Sequence, residues 1–150
     1  MGEELPYYVS EFRDCYENQE ELVEEIDPEA QVNVFGISVC RMQIRKAKEI
    51  LARQGIRINV LDILWLKPLD TTKYGEILRR VPLGVVVDPG RTICGAAEHI
   101  AYELMIRHPG SRIEAIGVED RIKTPSYVYE NPVPSEETIV RHVCGMLGRR

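Results

Sequence analysis

The sequence predicts an α/β fold with three layers, in which a mostly parallel sheet is covered by helices on both faces. Two observations support this prediction. Apolar stretches of strand length alternate with stretches of helical periodicity, in the order β-α-β-α-β-α-β-loop-α. The stretch "LGVVVD" (83–88) is a run of apolar β-branched residues, which is typical of a strand buried on both faces.

Two strands and two helices are predicted in the first half of the domain. "QVNVFG" (31–36) is predicted as a strand, and the apolar residues of the following stretch fall at helical spacing over 38–55. The next strand is predicted over 56–63. Asp70 ends the turn "WLKPLD" and is placed to cap a helix over 71–80.

The second half continues the alternation after the strand 83–88. A helix is predicted over 93–107 and a fourth strand over 111–118. The prolines of 119–134 predict an irregular crossing segment. Ser135 is placed to cap a last helix over 136–147.

Charge is distributed unevenly along the 150 residues, which suit a single domain. The net charge of -5 gives no support for nucleic-acid binding, which requires a basic surface. Residues 1–30 hold eleven acids and one base, Arg13, whereas the remainder is mildly basic. We predict an acidic extended lead-in over 1–29, with one short helical turn at "EELVEEI" (20–26), and an α/β domain over 30–150. The acidic segment is either a solvated face or a docking segment for a basic partner.

The cysteines and the apolar runs predict a cytoplasmic protein that is not attached to a membrane. Cys15, Cys40, Cys94 and Cys144 are scattered without a C-x-x-C pair, so neither a redox pair nor a zinc site is indicated. A reducing compartment fits this pattern. The sequence opens without the basic and apolar regions of a signal peptide, and its apolar runs are shorter than the ~20 residues of a membrane span.

The stretch "FGISVC" raises the question of a nucleophilic serine. It nearly matches the G-x-S-x-G turn that exposes such a serine, but Cys40 replaces the second glycine. A nucleophile also requires a nearby histidine, and His99, His108 and His142 are isolated in sequence without metal-ligand spacing. We therefore interpret Ser38 as a helix cap.

The turn after the third strand is the main candidate site. Gly90 to Gly95 matches G-x-x-x-x-G, but Ala96 and Ala97 follow where a phosphate loop has Lys and Ser/Thr. Backbone N–H groups at the start of the next helix still suit an anion.

The alternative is a tight turn in which Thr92 caps the helix and small residues let the helix approach the sheet. On this interpretation Arg91 meets either a partner subunit or water. The candidate residues for an anion-binding or interface turn are Asp88, Gly90, Arg91, Thr92, Gly95 and Glu98.

Several stretches, taken together, resemble a known family. "INVLDILWLKPLD" (58–70), "GVVVDPGRTICGAAEHIA" (84–101) and "EDRIKTPSY" (119–127) precede a closing helix in the same order as in the C-terminal domain of the transketolase superfamily. Within it, the sequence is most similar to the beta subunit of the decarboxylating component of 2-oxo acid dehydrogenases, of the pyruvate or branched-chain type. The resemblance covers about residues 30–148. The similarity to the beta subunits in particular depends on Arg91, Thr92, Gly95, Ala97 and Glu98.

The resemblance implies an assembly role without catalysis by this chain. Enzymes of the superfamily use thiamine diphosphate and magnesium, which two other domains hold. The resemblance therefore implies no catalytic, cofactor-binding or metal-binding residue here. The implied partners are the thiamine-binding domains or subunits of the parent enzyme, in a homo-dimer or hetero-oligomer. The alternative function is a regulatory module that binds a small anion or nucleotide at the 88–95 turn.

The sequence departs from the family pattern at two places. Ile93 and Cys94 stand where members usually carry Gly-Gly, which predicts a turn that is either tighter or repositioned. The chain ends in the basic "GRR", whereas docking in the family uses acidic and carboxylate features.

Overall fold

Four strands and four α-helices alternate in the part of the chain that the computed structural model describes, residues 24–118 and 133–149. The elements are β1 (Val32–Gly36), α1 (Cys40–Arg53), β2 (Ile58–Asp62), a 3₁₀ turn (Thr72–Tyr74) leading into α2 (Gly75–Arg80), β3 (Leu83–Arg91), α3 (Ala96–Arg107), β4 (Arg112–Val118) and α4 (Glu136–Met146). This order confirms the predicted alternation. Most of the predicted crossing segment lies outside the described residues.

The four strands form one parallel sheet in the order β2-β1-β3-β4. β1 lies between β2 and β3, with Val34 opposite both Val60 and Val85. The chain therefore crosses from β1 to one side and later to the other. In a parallel sheet this change of direction leaves a crevice at the carboxyl ends of the strands, where ligands of such folds bind.

Helices cover both faces of the sheet. α1 and α4 pack on one face, where their apolar residues join Val32, Val34 and Val85 in one core cluster. α2 and α3 pack on the other face around Phe35 and Val86. The residues of β1 and β2 are buried throughout, since both of their faces are covered. The predicted three-layer architecture is confirmed.

One of the two helix caps predicted at Asp70 and Ser135 is confirmed. Ser135 accepts a hydrogen bond from the Thr138 N–H at 3.3 Å and so caps α4. The predicted Asp70 cap is wrong: Asp70 accepts the Thr72 N–H at 2.9 Å and so closes a turn, but neither the 3₁₀ turn nor α2 has a side-chain cap, since α2 begins only at Gly75.

The described part of the acidic lead-in binds the body of the same chain. Glu25 forms an antiparallel bridge with Val60, so the predicted helical turn is wrong at this residue; residues 20–23 lie outside the described chain. The Glu25 carboxylate lies 2.6 Å from Lys48 Nζ and 3.2 Å from an Arg41 nitrogen. Further ion pairs join Glu24 to Lys73 and Glu29 to Arg57. Glu24, Glu25 and Glu29 therefore contact basic groups of the same chain.

Replacing Glu25 with alanine is expected to lower the free energy of unfolding by about 1–2 kcal/mol, because a half-buried carboxylate with three cationic partners, Arg41, Arg45 and Lys48, is removed. Glu29→Ala is the matched control: its side chain is 70% exposed, so its ion pair is expected to contribute less than about 1 kcal/mol. Urea unfolding of both variants measures the difference. Equal losses would contradict the role given to Glu25.

In the described residues, every helix is too short or too polar to cross a membrane.

Candidate functional site

The turn between β3 and α3 is organised by two carboxylates of the chain itself. Asp88 is buried; its Oδ1 accepts the Gly90 N–H at 2.7 Å and its Oδ2 accepts the Ala97 N–H at 3.1 Å. Glu98 Oε2 accepts the Cys94 N–H at 2.8 Å. Of these donors, the Ala97 N–H lies in the first turn of α3, where an anion would bind. Because Asp88 already uses it, and Asp88 and Glu98 bring negative charge, the geometry does not favour an anion site here.

Thr92 is bound to β4 and does not cap α3, so this prediction is wrong. Its hydroxyl accepts the Gly117 N–H at 3.1 Å and donates to the Val118 carbonyl at 3.3 Å. The reason is the length of β3, which continues past its predicted end at residue 88 and pairs Arg91 with Val118. Thr92 therefore lies beside β4, and α3 begins only at Ala96.

Glycine is required in this turn because the backbone segments lie in close contact. A Cβ on Gly95 would lie 1.9 Å from the Arg91 carbonyl oxygen. A Cβ on Gly117 would lie 2.6 Å from the Gly90 carbonyl oxygen. The tight strand-to-helix turn predicted from the sequence is therefore present, although carboxylates hold it together.

Ser38 lies at the equivalent turn after β1, but it does not cap α1. The first residue flanking α1 is Val39, and no side chain caps this end of the helix. Ser38 has a φ of 52° and contributes its carbonyl, which accepts the Arg41 N–H at 3.2 Å. The cap prediction is wrong because the helix begins in a tight turn that uses this carbonyl.

The three histidines are located elsewhere than the Ser38 turn. His108 Nε2 lies 3.0 Å from the Thr71 carbonyl oxygen, and His142 Nδ1 lies 3.1 Å from Glu114. His99 is exposed on α3. No observation therefore favours a serine nucleophile.

A buried ion pair at the end of β2 is the feature that sequence reasoning missed. The Arg41 guanidinium contacts the Asp62 carboxylate, and both side chains are about nine-tenths buried. Burial raises the pKa of Asp62, and the adjacent Arg41 opposes that rise. Tyr74 Oη donates to the Asp62 carbonyl at 2.9 Å. The pair therefore joins α1, β2 and the turn before α2, and it also binds Glu25 of the lead-in.

The contribution of Cys40 to the free energy of unfolding is expected to depend on pH. Burial, with a further contribution from Asp88, raises the pKa of its thiol to about 12. A group whose pKa is raised by folding contributes stability below its unfolded pKa and loses it as the pH rises. Between pH 9 and 11, the free energy of unfolding of the wild type is expected to fall by up to about 1.4 kcal/mol per pH unit faster than that of Cys40→Ala.

Urea unfolding at three pH values measures this difference, since the other groups that titrate are common to both proteins. Parallel slopes for the two proteins would contradict the buried environment of Cys40.

Exposed apolar side chains lie at the same edge of the sheet. Leu64, Trp65 and Leu66, in the loop after β2, are 61%, 71% and 51% exposed, and Ile93 in the turn before α3 is 57% exposed. Exposed apolar groups of this size commonly mark interaction surfaces. Within residues 24–118 and 133–149, no three His, Cys, Asp or Glu side chains are grouped so that they could hold a metal ion.

These features define the class of protein as a parallel three-layer α/β domain. Its turns are fixed by its own carboxylates, and apolar groups are exposed at the carboxyl edge of its sheet. The family model described as "Transketolase, C-terminal domain" matches residues 22–139. The chain belongs to the transketolase C-terminal domain family.

Two solved structures share the fold. A split-gene transketolase, described as an inactive beta4 tetramer, matches with a TM-score of 0.67 and 21% identity over 80% of this chain. The 2-oxoglutarate:ferredoxin oxidoreductase from Magnetococcus marinus matches with a TM-score of 0.55 and 14% identity over 81% of this chain. This chain therefore spans less than half of each matched chain, 39% and 18%, respectively.

Proposed function

We propose that this chain is the C-terminal assembly domain of a thiamine-diphosphate-dependent enzyme and is not catalytic alone. The observation that carries the proposal is the family match over residues 22–139, together with exposed apolar groups at the carboxyl edge of the sheet. We further propose that the parent enzyme is of the 2-oxo acid dehydrogenase beta-subunit or transketolase type. On this proposal the acidic lead-in precedes a domain that spans 30–150, and the protein is cytoplasmic.

The carboxylates at the carboxyl edge do not fit magnesium and a diphosphate group. Asp88 is bound to two backbone N–H groups, and Asp62 is paired with Arg41. Neither carboxylate presents the open oxygen set that magnesium requires. We therefore place the cofactor on the partner domains or subunits and assign this chain no step of the reaction.

Arg91 is proposed as an interface residue of the 88–95 turn. It ends β3, and its side chain is exposed. The regulatory anion module is the less favoured function, since Asp88 and Glu98 use the backbone donors of this turn.

Isothermal titration calorimetry of the isolated chain with thiamine diphosphate and magnesium tests the proposal. We expect no heat of binding at millimolar ligand and no release of carbon dioxide from pyruvate or branched-chain 2-oxo acids. Saturable binding of the cofactor, or decarboxylation by this chain alone, would show that the proposal is wrong. The same titration with inorganic phosphate tests the anion module.

A further inference from the structure

A cavity with a volume of about 490 Å³ lies at the amino edge of the sheet, where α2 and α3 end and where β3 and β4 begin. Part of its lining is apolar and consists of Leu78, Pro82 and Pro109. The arginines Arg79 and Arg107 line another part. A cavity of this size is within the range of pockets that bind small molecules. It is separate from the 88–95 turn, which lies at the opposite, carboxyl edge of the sheet.

The two arginines retain hydrogen-bond donors that the chain itself does not use. Arg79 donates through Nε to the Gly75 carbonyl at 3.3 Å, and Arg107 donates through Nε to the Glu103 carboxylate at 2.8 Å. Among the residues that the structure describes, neither arginine has a second hydrogen-bond or ion-pair partner. Glu103 balances the charge of Arg107, whereas the partner of Arg79 is an uncharged carbonyl. The cavity therefore carries a net positive charge and free N–H donors.

Backbone carbonyl groups next to the cavity are used by the chain itself. At the end of α2 the Ile77 carbonyl accepts the Val81 N–H at 2.8 Å, and at the end of α3 the Leu104 carbonyl accepts the His108 N–H at 2.9 Å. The His108 carbonyl accepts both the N–H and the hydroxyl of Ser111, at 3.2 and 2.8 Å. The polar groups that this cavity offers to a ligand are therefore mainly donors, so a ligand must supply the acceptors.

The two helix ends limit the charge that such a ligand carries. The carboxyl end of a helix has a partial negative charge, and both α2 and α3 end at the cavity. A phosphate group with about two negative charges is repelled by these ends more strongly than a carboxylate with one. A carboxylate is also planar and accepts two parallel hydrogen bonds from a guanidinium group. The cavity thus favours a carboxylate over a phosphate.

We propose that this cavity binds a small organic acid. The carboxylate accepts hydrogen bonds from the terminal N–H groups of Arg79 and Arg107, and the hydrocarbon part contacts Leu78, Pro82 and Pro109. Burial of the hydrocarbon part adds affinity that an inorganic anion lacks. This inference goes beyond the assembly function and does not depend on it. Calorimetry with thiamine diphosphate tests the assembly function, whereas the experiment below uses simple acids and identifies the residues that they contact.

Nuclear magnetic resonance titration of the isotope-labelled full chain with sodium hexanoate tests the site. We expect saturable shifts at the backbone amides of His108, Gly110 and Ser111, and none at the 88–95 turn. Acetate is expected to bind at least tenfold more weakly, because it lacks the chain that contacts the apolar lining. Inorganic phosphate is also expected to bind more weakly than hexanoate. The proposal is overturned if tens of millimolar hexanoate give no saturable shifts at the cavity, or if acetate or phosphate binds as tightly as hexanoate.

Substitution of the arginines tests their role in the same titration. Arg79→Gln is expected to weaken hexanoate binding at least tenfold, because charge-assisted hydrogen bonds to the carboxylate are lost. Arg107→Gln gives a second loss in the same cavity. Arg53→Gln is the matched control: Arg53 is likewise an exposed arginine in the last turn of a helix, but it lies on α1 and does not line the cavity. Equal affinities of Arg79→Gln and Arg53→Gln for hexanoate overturn the proposal.

Discussion

Replacing Arg41 with methionine is expected to lower the free energy of unfolding by about 3–5 kcal/mol, because the buried Asp62 carboxylate then lacks its cation. Both side chains are about nine-tenths buried, so water replaces the lost contact poorly. Arg53→Met, at the exposed carboxyl end of the same helix, is the matched control and is expected to change stability by less than about 0.5 kcal/mol.

Two further measurements identify the cause of that loss. Asp62→Asn in the Arg41→Met background is expected to recover part of the lost free energy of unfolding, since it removes the uncompensated charge. If the two substitutions instead lower the free energy of unfolding independently and additively, the pairing of Arg41 with Asp62 is contradicted. Asp62 already has a raised pKa in the folded chain. A raised pKa contributes stability at low pH and loses it as the pH rises, so the deficit of Arg41→Met is expected to be smaller at pH 4.5 than at pH 8.

Replacing Gly95 with alanine is the second change with a large expected effect, about 3 kcal/mol of destabilisation, because the new Cβ would lie inside the Arg91 carbonyl group. The backbone of Gly95 has φ -87°, which alanine adopts freely, so the effect is purely steric. Relieving the contact moves the start of α3 away from Asp88. Hydrogen exchange at the Ala97 amide, which donates to Asp88, is expected to accelerate.

Gly145→Ala is the matched control for Gly95→Ala. Gly145 lies within α4, and a Cβ there meets no atom within 4 Å. This substitution is expected to stabilise the chain by roughly 0.5–1 kcal/mol, since alanine favours the helix. Equal effects of the two substitutions in urea unfolding would contradict the close packing of the 88–95 turn.

The order and type of the elements could be predicted from the sequence, because both depend on local periodicity. The burial of residues 84–88 in β3 follows from their apolar β-branched run, and the Ser135 cap follows from the serine before a helical pattern. Element ends were less predictable. β3 continues through Pro89 and Gly90 because β4 pairs with it again at Arg91 after an irregularity in register, which is a contact between distant residues.

The chemistry of the candidate site was harder to predict than the element ends, because it depends on contacts between residues that are distant in sequence. Arg41 falls at the start of a helix, where a basic residue is expected to be exposed, yet its partners lie 16 and 21 residues away along the chain. The glycines of 88–95 correctly predicted a tight strand-to-helix turn. The carboxylates that accept its backbone N–H groups belong to Asp88 and Glu98, which the spacing of glycines does not reveal.

We propose that the cofactor belongs to partners of this chain and that the chain serves assembly. Purification of the tagged full chain from its native source, followed by thiochrome fluorescence of bound thiamine diphosphate, tests it most directly. We expect thiamine diphosphate in a complex that contains the chain and separate cofactor-binding polypeptides, and none on the chain after those polypeptides are removed. Thiamine diphosphate retained by the chain alone would contradict it.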